Sequence, residues 1–252
     1  MLNAVLDLVL PPSCAGCGAK GASCCARCFT ALTGAPARRV PRPAPPGLPD
    51  CWAAAPYEGV VRRTIVAYKE RGVVSLAGVL AEAVTRTVVA ALGHAAEWTG
   101  GRFVVGHATE WADGRFAVGQ AAEWTGGRFA VVPVPSTRRS VRARGHDPVG
   151  RLATLVAARL RGLGLGAVVW AGLGQTRRVA DQAGLSSAER GSNLAGSLQV
   201  RPAAKAPPAA RALLVDDIVT TGATLAEAAR ALRAHGVVVP LAVTAGATRR
   251  RS

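Results

Sequence analysis

The sequence lacks a long uninterrupted apolar segment. No stretch of about 20 apolar residues is free of charged side chains, so no transmembrane helix is predicted. Residues 1–12 also lack the basic region and the small-residue cleavage site of a signal peptide, and Asp7 lies in their middle. We interpret residues 1–12 as a short amphipathic helix, and we expect a cytoplasmic protein without membrane insertion.

Lysine and acidic residues are scarce. Only Lys20, Lys69 and Lys205 are lysines, so 28 of the 31 basic residues are arginines, and with 15 acidic residues the formal net charge is +16. Arginine binds phosphate through forked hydrogen bonds, so this charge fits a phosphate-bearing ligand or a nucleic-acid backbone. The alternative is that a chain so rich in Ala, Gly, Val and Arg reflects GC-biased codons.

Five of the six cysteines lie between residues 14 and 28. Cys14 and Cys17 form one C-x2-C pair, and Cys25 and Cys28 form another, which is a spacing typical of a tetrahedral zinc site. Four thiolates leave no open coordination position, so we expect a structural zinc ion. Cys24 is an alternative ligand to Cys25. A disulfide pair or redox thiols remain the other interpretation, which a reducing compartment disfavours.

Prolines and arginines dominate the segment after the cysteines. Residues 33–49 contain six prolines, which predicts a linker. The length of 252 residues allows one α/β domain of about 200 residues beside a small module. We therefore divide the chain into a cysteine-rich zinc module with its linker (1–50) and an α/β domain (51–252).

Residues 213–225 carry the most specific pattern. Residues 213–215 are an apolar run without alternation, as in a strand buried in a parallel sheet, and Asp216 and Asp217 follow at its carboxyl end. Residues 220–224 then offer three hydroxyls and a glycine before a helix predicted from about 225 to 233. Two carboxylates can accept hydrogen bonds from a vicinal diol, and the N–H groups at a helix start favour phosphate.

This segment resembles the signature of type I phosphoribosyltransferases, which bind 5-phosphoribosyl-1-pyrophosphate (PRPP) with Mg²⁺. The resemblance implies that Asp216 and Asp217 hold the ribose hydroxyls. It also implies a 5-phosphate site formed by Thr220, Thr221, Gly222, Ala223 and Thr224.

A second strand is predicted at residues 131–134, and a Pro-Ser-Thr turn follows it. In the resembling fold the corresponding turn binds pyrophosphate. Ser136, Arg138 and Arg139 are therefore candidate ligands, since arginines beside the turn can offset the charge of the leaving group. The alternative is a solvated basic loop.

Residues 175–193 are polar, mixed in charge and poor in large apolar groups, as expected of a mobile active-site cover. Arg190, with Arg177 and Arg178, could reach pyrophosphate when this cover closes. An exposed loop before a strand at residues 198–200 explains the composition almost as well.

Residues 94–132 contain three near-copies of a 13-residue unit with the pattern Glu-Trp, a glycine turn and Arg-Phe. Each copy is predicted to be hairpin-like. We interpret the repeat as a duplication of the residues that lead into one core strand. A binding surface of repeated Trp and Arg is the alternative.

Several further motifs accompany these segments. They are Pro56-Tyr57-x-Gly59, Ile65 to Lys69, Arg144-Gly145, and Gln182-x2-Leu185-Ser186-x2-Glu189-Arg190-x2-Asn193. With the cysteines, they resemble the ComF family, competence-associated proteins with a zinc-ribbon-like module before a phosphoribosyltransferase domain. His146-Asp147-Pro148 departs from the family pattern after the Arg-Gly pair.

The ComF resemblance implies a type I phosphoribosyltransferase-like parallel sheet flanked by helices, a pocket for PRPP or a nucleotide, and a role in importing single-stranded DNA with competence proteins. An active phosphoribosyltransferase of nucleobase salvage is one alternative. A DNA-binding protein with a vestigial pocket is another. The sequence does not indicate the acceptor base.

Overall fold

The computed structural model describes residues 12–98, 127–176, 194 and 196–248. The α-helices are α1 (Ala26–Thr33), α2 (Gly59–Lys69), α3 (Ala77–Trp98), α4 (Arg138–Arg144), α5 (Pro148–Gly162) and α6 (Ala223–Arg233), and a 3₁₀ turn covers Val74–Leu76. The strands are β1 (Ala37–Arg38), β2 (Asp50–Pro56), β3 (Arg128–Pro133), β4 (Gly166–Val169), β5 (Leu173–Gln175), β6 (Leu198–Val200), β7 (Arg211–Val219) and β8 (Val238–Ala247).

Six of these strands form one sheet in the order β1-β2-β8-β7-β3-β4. The pairs from β2 to β4 are all parallel, and only the short edge strand β1 is antiparallel. Strands β5 and β6 form a separate antiparallel hairpin. This architecture confirms the predicted α/β fold with a mainly parallel sheet.

The strand order reverses direction between β3 and β7. From β3 the chain crosses through α4 and α5 to β4 on one side, whereas from β7 it crosses through α6 to β8 on the other. Residues Ala130–Pro133 of β3 pair in parallel with Ala212–Val215 of β7. Ligands of open α/β sheets bind outside the carboxyl ends of the strands at such a switch point.

Apolar side chains cover both faces of the sheet. One core joins α2, α3 and α5 to the sheet through residues such as Ile65, Leu80 and Leu152. The second joins α6 and the β5–β6 hairpin to the other face, through residues such as Leu214 and Leu225. Burial on both faces explains why β3 and β7 read as continuous apolar runs in the sequence.

One predicted strand boundary was wrong. We expected the strand to end at Val215, with both aspartates outside it, but β7 continues to Val219 and contains Asp216 and Asp217. Strand β8 explains the extension, because Asp216 and Val219 pair with its Thr244 and Ala247. The predicted strand at residues 198–200 is confirmed.

One apolar helical segment, Val74–His94, is long enough by length and composition to cross a membrane. However, 61% of its apolar window is buried inside the fold. Leu80, Val84 and Val88 belong to the core that α2 and α5 share. The segment is therefore the core helix of an α/β domain.

The repeat of residues 94–132 lies mostly outside the described residues, which include only its two ends. The first copy begins in the last turn of α3, which ends at Trp98, and the third copy ends in β3, which begins at Arg128. The opening residues of the first copy are helical, and the turn and strand predicted for its remaining residues lie outside the described residues. The repeat therefore lies between the end of α3 and the start of β3 in the chain.

The predicted linker contains ordered structure. Its residues Ala37 and Arg38 form β1 and pair with Ala53 and Trp52 of β2. The cysteine-rich segment packs on the α/β domain as well, because Ser75 Oγ donates a hydrogen bond to Ser23 Oγ at 3.0 Å. Residues 1–11, which include the predicted amphipathic helix, lie outside the described residues.

Candidate functional site

The two aspartates of β7 lie at the switch point and differ in exposure. Asp217 is almost fully buried, with only 2% of the residue exposed, whereas Asp216 is partly exposed. Lys69, the last residue of α2, reaches Asp217 with 2.6 Å between Nζ and Oδ2. The Asp217 backbone N–H donates to Oδ1 of Asp216 at 2.8 Å. The acidic pair therefore already has one cation beside it.

Electrostatics separate the two carboxylates further. Desolvation by the surrounding protein, which acts on Asp216 although the residue is partly exposed, raises its pKa well above the ordinary value, and repulsion from Asp217 adds to this effect. Burial lowers the pKa of Lys69, but attraction to Asp217 and the hydrogen bond with it outweigh burial and raise this pKa overall. A divalent cation or a diol at Asp216 would favour its ionised form. The pair is thus poised to bind a ligand that relieves the repulsion.

The loop after β7 has the geometry expected of a phosphate site. Gly222 precedes α6 with φ +76°, a left-handed conformation that favours glycine, and it carries no side chain that could cap the helix. Thr221 Oγ1 lies 3.4 Å from the backbone nitrogen of Ala223. Thr220 is exposed and Thr224 partly exposed. The first turn of α6 therefore presents backbone N–H groups and hydroxyls at one place.

The turn after β3 lies next to the acidic pair, because Pro133 pairs with Val215 and the Val134 backbone N–H donates to the Val215 carbonyl at 2.9 Å. Ser136 is partly exposed in this turn. The Thr137 side chain then accepts a hydrogen bond from the Ser140 backbone N–H and caps α4. The structure thus brings together the predicted ribose and pyrophosphate segments.

Helix α4 begins with the predicted ligands Arg138 and Arg139, so both lie at the end of this turn. Its last residue, Arg144, donates from Nε and Nη2 to the two carboxylate oxygens of Glu70, each at 3.0 Å. Lys69 and Glu70 are adjacent. At the end of α2, Lys69 therefore contacts Asp217, and the next residue, Glu70, forms an ion pair with Arg144 of α4.

The departure from the family pattern at residues 146–148 has a structural role. Asp147 caps α5 by accepting a hydrogen bond from the Gly150 backbone N–H, and Pro148 opens the helix. The buried Tyr68 hydroxyl donates to the Pro148 carbonyl at 2.7 Å. Burial raises the pKa of Tyr68 to about 12, so the phenol remains a donor at neutral pH.

The β5–β6 hairpin brackets the segment predicted to be an active-site cover. Glu227 of α6 accepts a hydrogen bond from the Leu198 backbone N–H at 3.1 Å, and Arg230 donates to the Leu198 carbonyl at 3.1 Å. The hairpin is therefore attached to the helix that follows the phosphate loop. Arg190, Arg177 and Arg178 lie outside the described residues.

The four predicted zinc ligands converge. The sulfur atoms of Cys14, Cys17, Cys25 and Cys28 all lie within 4.8 Å of one another. A tetrahedral zinc ion with Zn–S bonds of about 2.3 Å requires sulfurs about 3.8 Å apart, so these residues fit the ion with a small contraction. The group includes Cys25, whereas the Cys24 thiol points to the Cys25 carbonyl at 3.7 Å. This geometry favours Cys25 over Cys24 as the fourth ligand.

Backbone amides surround the Cys14 sulfur. Burial raises the pKa of this thiol, but hydrogen bonds from the N–H groups of Cys25, Cys17 and Gly16 outweigh burial and lower it to about 6. The first of these bonds measures 3.3 Å from nitrogen to sulfur. Such donors stabilise the thiolate, which is the form that binds a metal ion.

Helix α2 contacts both the cysteine cluster and the acidic pair. Arg63 of α2 donates from Nε to the carbonyl of Gly16, between Cys14 and Cys17, at 2.5 Å. Six residues later on the same helix, Lys69 contacts Asp217. Sequence reasoning missed this role of Lys69, although the residue ends one of the motifs that resemble ComF.

Comparison with known proteins agrees with part of this interpretation. Residues 152–252 match the family model described as the phosphoribosyl transferase domain. The match supports a domain of the type I phosphoribosyltransferase kind, and the sheet and its flanking helices fit that fold. The matched residues include β7, the loop and α6, whereas the cysteine site and the turn after β3 precede them. No curated protein matches the chain.

Proposed function

We propose that this chain is a ComF-type protein that binds PRPP with Mg²⁺ at the carboxyl ends of β3 and β7 and takes part in the uptake of single-stranded DNA during competence. The observation that carries the proposal is the junction of β7, the Gly222 loop and α6 beside the turn of Ser136. The match of residues 152–252 to the phosphoribosyl transferase domain supports the ligand class.

Each part of the site has a physical role in this proposal. Asp216 and Asp217 accept hydrogen bonds from the ribose hydroxyls, and the N–H groups at the start of α6 bind the 5-phosphate. Mg²⁺ would neutralise charge on the pyrophosphate. Arg138 and Arg139 lie at the end of the turn where that group would bind. The ammonium group of Lys69 pairs with the buried carboxylate of Asp217.

A catalytic activity is the second candidate function. In that reaction a nitrogen of the acceptor base forms a bond to C1 of the ribose as the bond from C1 to the pyrophosphate oxygen breaks, and pyrophosphate leaves with the electron pair. Positioning and electrostatic stabilisation supply the rate enhancement in such a site. The observation that favours it is the adjacency of the ribose and pyrophosphate segments.

Calorimetry with Mg²⁺-PRPP tests the binding site, and two glycine variants make the test specific. Gly222 and Gly236 have nearly equal backbone angles, φ +76° and +75°. Alanine at either position should destabilise the fold by about 1–2 kcal/mol, since both conformations are left-handed. A Cβ at Gly222 would also lie 3.2 Å from Leu48 and Pro41, whereas one at Gly236 meets nothing within 4 Å.

Gly222→Ala should therefore weaken PRPP binding about tenfold or more, a loss of about 1.4 kcal/mol, and Gly236→Ala should leave it unchanged. Equal affinities in the two variants would contradict the assignment of the loop. Pyrophosphate release across a panel of bases then separates an enzyme from a PRPP-binding protein.

Fluorescence anisotropy with a labelled single-stranded oligonucleotide tests the nucleic-acid part. Binding should weaken as salt rises, because arginines displace counterions from the phosphates. Asp216→Asn should leave this binding unchanged, since it removes no basic residue. No binding at low salt would contradict the proposed contact with DNA, whereas binding of DNA without PRPP would favour a vestigial pocket.

A further inference from the structure

A cavity of about 390 Å³ opens on the side of the phosphate loop away from β3. Its walls come from the segment that was predicted to be a linker and from the carboxyl ends of β2, β7 and β8. Arg39, Pro41, Thr220 and Thr248 line it. Thr220 places the cavity beside the loop, but the N–H groups of the α6 helix start do not form its walls.

Two neighbouring arginines of the linker differ in their partners. Arg38 forms an ion pair with Asp50, with 2.5 Å between Nε and Oδ1. The backbone N–H of Arg39 donates to the Cys51 carbonyl at 2.7 Å, which fixes the residue beside β2. Its side-chain Nε, in contrast, is buried and has no hydrogen-bond partner within the described ranges. A buried guanidinium donor without a partner is costly, and an anionic ligand would satisfy it.

The segment that carries Arg39 is attached to the loop and to α6. Pro41 and Leu48 pack beside Gly222. Arg233, the last residue of α6, donates to the carbonyl of Gly47 at 2.5 Å and to that of Val239 at 3.0 Å. These contacts hold the cavity walls together, so Arg39 occupies a fixed position.

We propose that this cavity is a second anion subsite, in which Arg39 binds a phosphate group with Thr220 and Thr248 beside it. The charge-assisted hydrogen bonds of a guanidinium and the nearby hydroxyls suit a phosphate monoester. Pro41 and Pro56 provide apolar walls for the rest of a small molecule. The phosphate belongs either to a second ligand or to PRPP itself, and the subsite does not require that the proposed function be correct.

Line broadening of inorganic phosphate in ³¹P NMR, measured with the full chain, tests the subsite. Arg39→Gln should weaken phosphate binding about tenfold or more, because it removes a charged donor. Arg42→Gln is the matched control, since Arg42 is exposed on the same segment and the charge change is equal. Thr248→Val is a second variant that keeps the charge and should also weaken binding.

Repeating the titration with saturating Mg²⁺-PRPP identifies the source of the phosphate. Phosphate that still binds in an Arg39-dependent way indicates a second ligand. Exclusion of phosphate by PRPP, with weaker PRPP binding in Arg39→Gln, indicates a phosphate of PRPP. Absence of phosphate binding, or equal binding by the two arginine variants, would overturn the proposal. The first titration contains no PRPP, so it tests the subsite even if the chain does not bind PRPP.

Discussion

Replacing Lys69 with methionine tests the structural account of the acidic pair most directly. The side chain of Asp217 is only 3% exposed and that of Lys69 27% exposed, so the ion pair is mostly removed from water. Loss of one partner of a buried pair costs about 3–5 kcal/mol, and the partial exposure of Lys69 places the expected loss at the lower limit, about 3 kcal/mol.

Urea denaturation of the full chain measures this loss as a change in the free energy of unfolding. Thermal denaturation should show a melting temperature lower by about 6–12 °C, since about 1 kcal/mol corresponds to about 2–4 °C in a chain of this size. Asp217→Asn alone should cost less, because it leaves Lys69 able to reach solvent. In the double variant, most of the cost of Lys69→Met should disappear, because no buried carboxylate remains.

The coupling between the two substitutions is therefore the decisive quantity. Additive losses would show that the ion pair does not hold Asp217 in place, and the proposed role of Lys69 would then be wrong. A coupling of about 2 kcal/mol or more would support the pair, since residues in direct contact commonly couple by about 0.5–3 kcal/mol. Arg62→Met, at an exposed position of the same helix, is the control for a changed basic residue.

Three further predictions follow from the charges of the site. The raised pKa of Asp216 contributes stability to the unliganded protein below pH about 4, and this contribution is lost as the pH rises through the raised value. Asp216→Asn should therefore raise the melting temperature at pH 7, and it should abolish the PRPP binding that calorimetry detects. Cys17→Ser should reduce zinc by elemental analysis to well under one ion per chain, whereas Cys51→Ser should retain it, and zinc retained by the first variant would contradict the four-cysteine site. Burial raises the pKa of Glu227, but hydrogen bonds from Arg230 and from the backbone N–H of Leu198 outweigh burial and lower this pKa. Glu227→Gln should therefore make the backbone amides of the β5–β6 hairpin exchange faster with solvent. Unchanged hydrogen exchange would contradict the role of Glu227 in attaching the hairpin to α6.

Local pattern was sufficient for the elements that carry the proposed chemistry. Continuous apolar runs predicted β3 and β7 because both are buried on two faces, and the glycine within a hydroxyl-rich stretch predicted the start of α6. The spacing of Cys14, Cys17, Cys25 and Cys28 predicted a site whose sulfurs the structure brings together. Each of these features depends only on residues that are close together in the sequence, so the sequence alone is enough to predict it.

Contacts between distant segments were not predictable in the same way. Nothing in the sequence near Lys69 indicates that it contacts Asp217, since 148 residues separate them and the pair forms only when α2 packs against the sheet. The β1 strand was missed because two residues among prolines carry no periodic signal, and it exists because β2 offers an edge.

The sequence by itself determined the acidic pair, the loop rich in hydroxyl groups that leads into a helix, and the four cysteines with the spacing of metal ligands. Tertiary structure decided how these features relate, because parallel pairing of β3 with β7 sets the two predicted ligand segments side by side. Packing also brought the cysteine cluster and the acidic pair into contact with the same helix, through Arg63 and Lys69. It placed Arg39 beside the loop through contacts of Pro41, Leu48 and Arg233. Such contacts form because helices and strands that are distant in the sequence bury their apolar faces against one another. The order of the residues does not specify which faces meet, so only the folded structure shows these contacts.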